Sequence, residues 1–232
     1  MNKRVSMHAS ELRDEPAYGL AEASRYLKLP SATLRSWVVG REYPTADGTE
    51  RWQPLIQAAT SEPATVLSFW NLVEAHVLRA LRTDHGIAIK SVRDALDFAE
   101  RELNIPRLLL SAELATHAGK LFLERYGELV DLSASGQMAM KHVFEEHLER
   151  VEWDGLKLPT RLYPFATVEG ARRPIVIDPS ISFGRPVVSS GRISTAAIVE
   201  RIDAGESAQE LADDYELSVA EIEGAVVYER AA

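Results

Sequence analysis

Small and apolar residues recur through YGLAEASRYLKLPSATLRSWVVG at Leu20, Ala23, Ser24, Leu27, Leu29, Leu34 and Trp37. Two short helices joined by a tight turn need buried or small side chains at these positions. Ala23 and Ser24 let the second helix approach the first, Leu29 plugs the turn, and Leu34 and Trp37 share one face at three-residue spacing. Pro30 presets φ for entry into the second helix. Lys28 occupies the turn position that usually carries glycine, where a side chain costs about 1 kcal/mol if φ is positive. Gly40 to Pro44, Asp47-Gly48 and Arg51-Trp52 then read as a hairpin, which after a helix pair forms a wing.

Further along, Ser68 caps a predicted helix with Phe69, Leu72, Val73, Val77, Ala80 and Leu81 on one stripe, closed near His85-Gly86. A second amphipathic helix follows, with Val92, Ala95, Leu96, Ala99 and Leu103. These helices pack on the N-terminal head or pair with a second copy, and periodicity does not choose. Leu108 to Leu110, Leu121 to Leu123 and Leu129 to Leu132 read as short strands, with a hairpin turn at Tyr126-Gly127. Met140, Val143, Phe144 and Leu148 mark another helix, and Val151 to Trp153 and Leu162-Tyr163 read as extended. Near the C-terminus, Ser207 with Glu210 and Ser218 with Glu221 are two capping boxes, each opening a helix. Leu211, Ile222, Val226 and Val227 supply the apolar faces of a second helix-turn-helix-like outline.

The predicted fold class is mainly α (α+β). Its parts are a winged helix-turn-helix head over 1–60, a central linker and dimerisation region of helices with a small antiparallel sheet over 61–170, and a helical module over 171–232.

Charge separates the two helix pairs. The chain of 232 residues carries 26 Lys and Arg against 35 Asp and Glu, a formal net charge of -9, so generic affinity for nucleic acid is not expected. Between Ser24 and Gly40 there is no acidic residue, and Arg25, Lys28 and Arg35 make that segment locally cationic. Ser31, Thr33, Arg35 and Ser36, with Ala32, are expected on the outward face of the second helix, where base edges of a major groove are read. Arg41 and Arg51 are the wing's cations. From Asp203 to Glu229 there is no Lys or Arg at all, so a duplex would be repelled there and a protein contact or self-association fits better. No apolar run approaches the roughly 20 residues of a membrane span, and cytoplasmic residence is the default expectation. The absence of cysteine removes disulfides, thiolate nucleophiles and zinc-thiolate sites.

The C-terminal pattern of Asp178-Pro179, Gly184-Arg185-Pro186-Val187-Val188, Gly191-Arg192-Ile193, Ala204-Gly205-Glu206-Ser207 and Ala208-Gln209-Glu210-Leu211 resembles the antitoxin-associated module known as domain of unknown function 433. The head resembles the reading head of MerR-type regulators. LSFWNLVEAHVLRALR, LFLERYGELVDLS and HLERVEW resemble the linker of long antitoxins that join the two. The resemblance implies a VapB-type antitoxin of a type II toxin-antitoxin system. Such a protein represses its own promoter by binding operator DNA, forms a homodimer and neutralises a PIN-like ribonuclease toxin. It further implies Arg172, Arg173, Arg185 and Arg192 as cations for the toxin's carboxylate-lined site. The other reading of Arg185 and Arg192 is pairing with Asp178 or with the acidic helices.

Two other readings stay open. One is a ligand-responsive MerR-like regulator with a pocket lined by Phe122, Trp153 and Tyr163, and the other a scaffold that never touches DNA. Catalysis is not expected. His142 and His147 are five apart and so point about 140° away from each other on a helix, which prevents them from sharing a metal. The other histidines are scattered and read as packing or surface residues. The acidic C-terminal cluster lacks the glycine and alternating oxygen ligands of a calcium loop, and no phosphate-loop, dinucleotide or nucleophile-elbow motif is present. No metal or other cofactor is therefore expected.

Overall fold

The computed structural model describes residues 11–45, 48–61, 63–81, 89–115, 117–129, 134–164 and 173–231. Helices dominate, and strands occur as short two-stranded pairs. The chain divides into two compact units, one of Asp14–Pro159 and one built mainly from Thr160–Ala232.

In the first unit, β1 (Tyr18–Gly19) pairs antiparallel with β4 (Val66–Leu67), tying the start of the head to the segment that leaves it. Helices α1 (Leu20–Leu27) and α2 (Ser31–Val38) form the expected pair. Lys28 between them has φ 52 and ψ 42, so a lysine does stand in the left-handed conformation that the turn requires. Leu29 donates its N–H to Ser24 O at 3.0 Å and is buried.

Strands β2 (Arg41–Thr45) and β3 (Gly48–Trp52) form the wing, in register from Arg41 opposite Trp52 to Thr45 opposite Gly48. The Asp47 of the expected turn lies outside the described residues. Gly40 has φ 84, and a Cβ there would sit 2.2 Å from Trp52 O, so only glycine lets the hairpin begin where α2 ends.

Helix α3 (Phe69–Ala80) starts at a complete capping box in which Ser68 Oγ accepts from Asn71 N at 3.2 Å and Asn71 Oδ1 from Ser68 N at 3.1 Å. It is buried almost all round and is the central helix of the unit. Helix α4 (Ile89–Leu103) follows with Val92, Ala95, Leu96 and Ala99 inward; the expected stop at His85-Gly86 lies outside the described residues.

The strands expected next are helical instead. Leu108–Leu110 is a single 3-10 turn with all three leucines buried. Leu121 to Leu123 and Tyr126-Gly127 belong to α5 (His117–Leu129), while Val130 to Leu132 lie outside the described residues. Gly127 is not a hairpin turn. A Cβ at this position would lie 2.9 Å from Gln137 Cδ, so the glycine lets α6 (Ala134–Leu148) come close. Phe122 stacks on Tyr126 at 6.0 Å and meets Phe144 of α6 at 5.8 Å. Strand β5 (Val151–Trp153) ends in a turn closed by Asp154 N–H donating to Leu158 O at 2.9 Å, and β6 (Pro159–Leu162) carries the chain onward.

In the second unit, β7 (Ile175–Val176) pairs antiparallel with β8 (Val187–Val188). Helices α7 (Thr195–Asp203), α8 (Ala208–Tyr215) and α9 (Val219–Arg230) pack over it. Both expected capping boxes are complete, with Glu210 N donating to Ser207 Oγ at 3.2 Å and Glu221 N to Ser218 Oγ at 3.3 Å. Ile175, Val188, Ile198, Leu211, Ile222 and Tyr228 form the core. Each such side chain contributes roughly 1.5–3 kcal/mol relative to exposure. Val227, expected on the apolar face, is 55% exposed, because the inward stripe of α9 is set by Ile222, Ala225 and Tyr228.

Candidate nucleic-acid interface

The outward face of α2 is narrow. Thr33, Leu34, Trp37 and Val38 are buried, and Ser31, Ala32 and Arg35 are exposed. Thr33, expected to face outward, is only 5% exposed, since it lies one helical turn from Trp37 and on the same stripe. Ser36 is half-buried, its Oγ donating to Thr33 O at 2.7 Å. Arg35 projects from the open face, and its guanidinium makes no ion pair among the described residues.

The neighbouring cations differ in how free they are. Arg25 on α1 is exposed, with its guanidinium 5.4 Å from the centre of the Tyr26 ring. Tyr26 itself donates to Glu22 Oε1 at 2.7 Å, and burial, aided by Glu22, pushes its phenol up to about 12, so it stays a neutral anchor. Lys28 is half-buried and Arg41 is exposed at the wing's base. Arg51 donates from Nη2 to Val39 O at 2.9 Å, so its guanidinium braces the wing against the end of α2. The wing also carries Glu42 and Glu50, and Tyr43, stacked on Trp52 at 4.6 Å, donates to Glu50.

Arginines that the sequence reading passed over hold this head in place. Trp37 O, near the end of α2, accepts from Leu55 N and Ile56 N at 2.7 and 3.0 Å. Arg79 of α3 donates to Leu27 O at 2.6 Å, satisfying a carbonyl that the end of α1 leaves open. Arg93 of α4 donates to Pro54 O at 3.1 Å and to Gln53 O. For Arg79 the available signal is the end of α1, whose free carbonyls require donors, but nothing in the sequence says which arginine reaches them, and the loop carbonyls that Arg93 meets give no signal at all.

Beneath the head, Glu74 is buried and receives Arg107 Nε at 3.1 Å, Arg107 Nη2 at 3.0 Å and Asn71 Nδ2 at 2.8 Å. Burial raises its carboxyl above the ordinary value and Arg107 pulls it back. The rings of His76 and His147 lie 5.0 Å apart, tilted by 37°, with His76 Nε2 3.1 Å from His147 O. Both are held neutral, mainly by burial, with His147 lowered to about 4. His142 is exposed and meets Glu146 at 3.5 Å, well apart in role from His147. Among the described residues no three His, Cys, Asp or Glu side chains are placed to hold a metal, and no helix is long and apolar enough to cross a membrane.

In the second unit, Arg173 is exposed with its guanidinium 4.9 Å from the Tyr163 ring centre, and Arg172 lies outside the described residues. Arg185 and Arg192 are exposed. Neither pairs with Asp178, which instead takes Arg161 Nε at 2.8 Å and Ser180 Oγ at 2.6 Å. That network fixes a loop in which Ser182 and Phe183 both have positive φ, 48 and 56, and Phe183 is 93% exposed. The acidic helices are closed at their edges by Arg201, paired with Glu206 and Asp214, and by Arg230, paired with Asp203. Of the aromatics expected to line a pocket, Phe122 is core of the first unit, Trp153 is half-buried, and Tyr163 packs on Val176 and Val187 in the second.

Comparison with known proteins matches both ends of the chain to families. Residues 16–96 match a family described as "Putative DNA-binding HTH domain", and residues 175–228 match "Protein of unknown function (DUF433)". Over 224 residues, covering 88% of this chain and 90% of the relative, the sequence is 33% identical to "Putative antitoxin VapB45" of Mycobacterium tuberculosis (strain ATCC 25618 / H37Rv). The chain belongs to the VapB45 antitoxin family. A second protein of that organism, "Uncharacterized protein Rv2308", is 26% identical over 97% of this chain and 94% of its own. The crystal structure of Rv2018 from Mycobacterium tuberculosis superposes with a TM-score of 0.68 at 28% identity, covering 91% of this chain and 97% of that one. In this VapB45-family chain the N-terminal match runs past the wing into α4, as far as the bracing residues Arg79 and Arg93.

Proposed function

We propose that this protein is the antitoxin of a type II toxin-antitoxin system, binding its own promoter DNA through the head and a PIN-like ribonuclease through the second unit. It acts by binding and performs no chemistry. The observation that carries the DNA half is the exposed, acid-free face of α2, set beside Arg25 and Arg41 in a chain of net charge -9. Affinity for a duplex comes from neutralising phosphates, and the segment from Ser24 to Gly40 carries Arg25, Lys28 and Arg35 with no acidic residue of its own. One head exposes few base-reading side chains, so a homodimer placing two heads on a repeated operator supplies the remaining specificity. The test is binding to the duplex upstream of the protein's own coding region, with Arg35→Ala weakening it by about 1–3 kcal/mol. Unchanged affinity and unchanged salt dependence would remove Arg35 from the interface.

For the toxin half, the support is the Phe183 loop. An aromatic held 93% exposed by a pinned loop, followed by Arg185 and with no acidic residue from Pro179 to Val199, matches a partner with an apolar pocket edged by carboxylates. Co-purification of the neighbouring nuclease should fall with Phe183→Ser combined with Arg185→Glu, and undiminished recovery would clear this loop of the role.

A further inference from the structure

The reading face of α2 is so spare that its chemistry names the bases it can recognise. Ser31, Ala32 and Arg35 are its exposed residues, with Ser36 half-buried beside them. Arg35 is the one long donor among them. A guanidinium on a recognition helix discriminates by donating twice to O6 and N7 of guanine, the acceptor pair no other base presents in the major groove. Ala32 stands three residues earlier on the same face, about 4.5 Å along the axis at 1.5 Å per residue. It carries no polar atom, and a bare methyl is the complement of the thymine C5-methyl group. Two serine hydroxyls serve either donor or acceptor and add little discrimination.

We propose that each head reads a guanine through Arg35 and a thymine methyl through Ala32, one or two base pairs apart, and that α2 specifies little else. This rests on the DNA-binding reading above, which phosphate contacts alone would satisfy. Two features favour a close approach to base edges. The exposed residues flanking Arg35 are small, so no side chain holds the helix out of the groove. The end of α2 is also fixed, through Trp37 O and Val39 O, to the segments that follow it, so Arg35 is presented by a rigid element.

The experiment is selection of duplexes from a randomised pool by the full chain, followed by anisotropy titrations on the selected site with single-atom changes. Replacing the key guanine by 7-deazaguanine, which lacks the N7 acceptor, should weaken wild type roughly ten- to hundredfold. The same change should leave the already weakened Arg35→Ala variant unaffected, and Arg35→Lys, which keeps the charge but lacks the rigid fork, should keep the salt dependence and show a weaker guanine preference. Replacing thymine by uracil should weaken wild type several-fold and Ala32→Ser by less. A selected site without guanine, or indifference of wild type to 7-deazaguanine, overturns the assignment while leaving DNA binding in place. If no duplex is retained even at low salt, the DNA-binding reading itself falls, and this one with it.

Discussion

Replacing Arg107 by alanine tests whether the ion pair under the head is held as the structure describes. Glu74 has a side chain 6% exposed, and Arg107, at 38%, supplies its charge partner through two hydrogen bonds. In Arg107→Ala, among the described residues only Asn71 still donates to the carboxylate. Breaking a fully buried pair costs about 3–5 kcal/mol because a charge is left uncompensated. Water reaches the Arg107 side of this pair, which brings the expected loss to about 2–3 kcal/mol at pH 7.5.

The pH dependence supplies the sign. Burial already raises the Glu74 carboxyl above its ordinary value, and loss of Arg107 raises it further. A folded-state value above the unfolded one means that stability is fully present below the unfolded value and lost as pH rises through the folded one. Arg107→Ala should therefore be closest to wild type near pH 5 and worst above neutrality, and Glu74→Gln added to it should restore most of the loss. Urea denaturation of the variants at both pH values is the assay. A loss below about 1 kcal/mol that does not change with pH would contradict this, because it would mean that Glu74 is solvated and unshifted without Arg107.

Three other outcomes follow from single positions. Gly40→Ala places a Cβ 2.2 Å from Trp52 O at φ 84, so it should weaken DNA binding by displacing the wing while the far-UV spectrum stays helical; unaltered binding would mean that the wing is not needed. Lys28→Gly removes the cost of the left-handed conformation at φ 52, offset by glycine's greater freedom when unfolded, and should leave thermal stability unchanged or raised by up to about 1 kcal/mol. His76 and His147 are both buried neutral with depressed values, so their contribution is present above pH 6.5 and is lost as pH falls, for His147 toward about 4; denaturation midpoints for His147→Leu should fall less steeply between pH 6.5 and 4 than those of wild type.

What the sequence could and could not reveal divides along periodicity and contact. The capped helices were legible because Ser207 with Glu210, and Ser218 with Glu221, satisfy backbone groups at fixed spacing, whatever lies beyond the helix. The head is legible because Leu34 and Trp37 set its inward stripe, whereas Thr33, whose hydroxyl suits an outward position, is buried because it lies one turn from Trp37. Helix α5 was misread because Leu121-Phe122-Leu123 is an apolar run that suits a strand or a buried helix alike, and the glycine after Tyr126 imitates a turn. Its real task, admitting Gln137 from α6, is a tertiary contact with no local signature. The same holds for Arg51, Arg79 and Arg93, whose partners are backbone carbonyls 12, 52 and 39 residues away.

DNA reading by one cationic face of an acidic chain is the property on which the rest depends. Its most direct measurement is fluorescence anisotropy of the full chain on the duplex upstream of its own coding region, from low to physiological salt, beside an unrelated duplex of equal length. Expected is saturable binding whose logarithm weakens linearly with the logarithm of salt, which favours the upstream duplex and falls in Arg35→Ala. Absence of binding to either duplex at low salt, or equal binding by Arg35→Ala and wild type at every salt concentration, would contradict it.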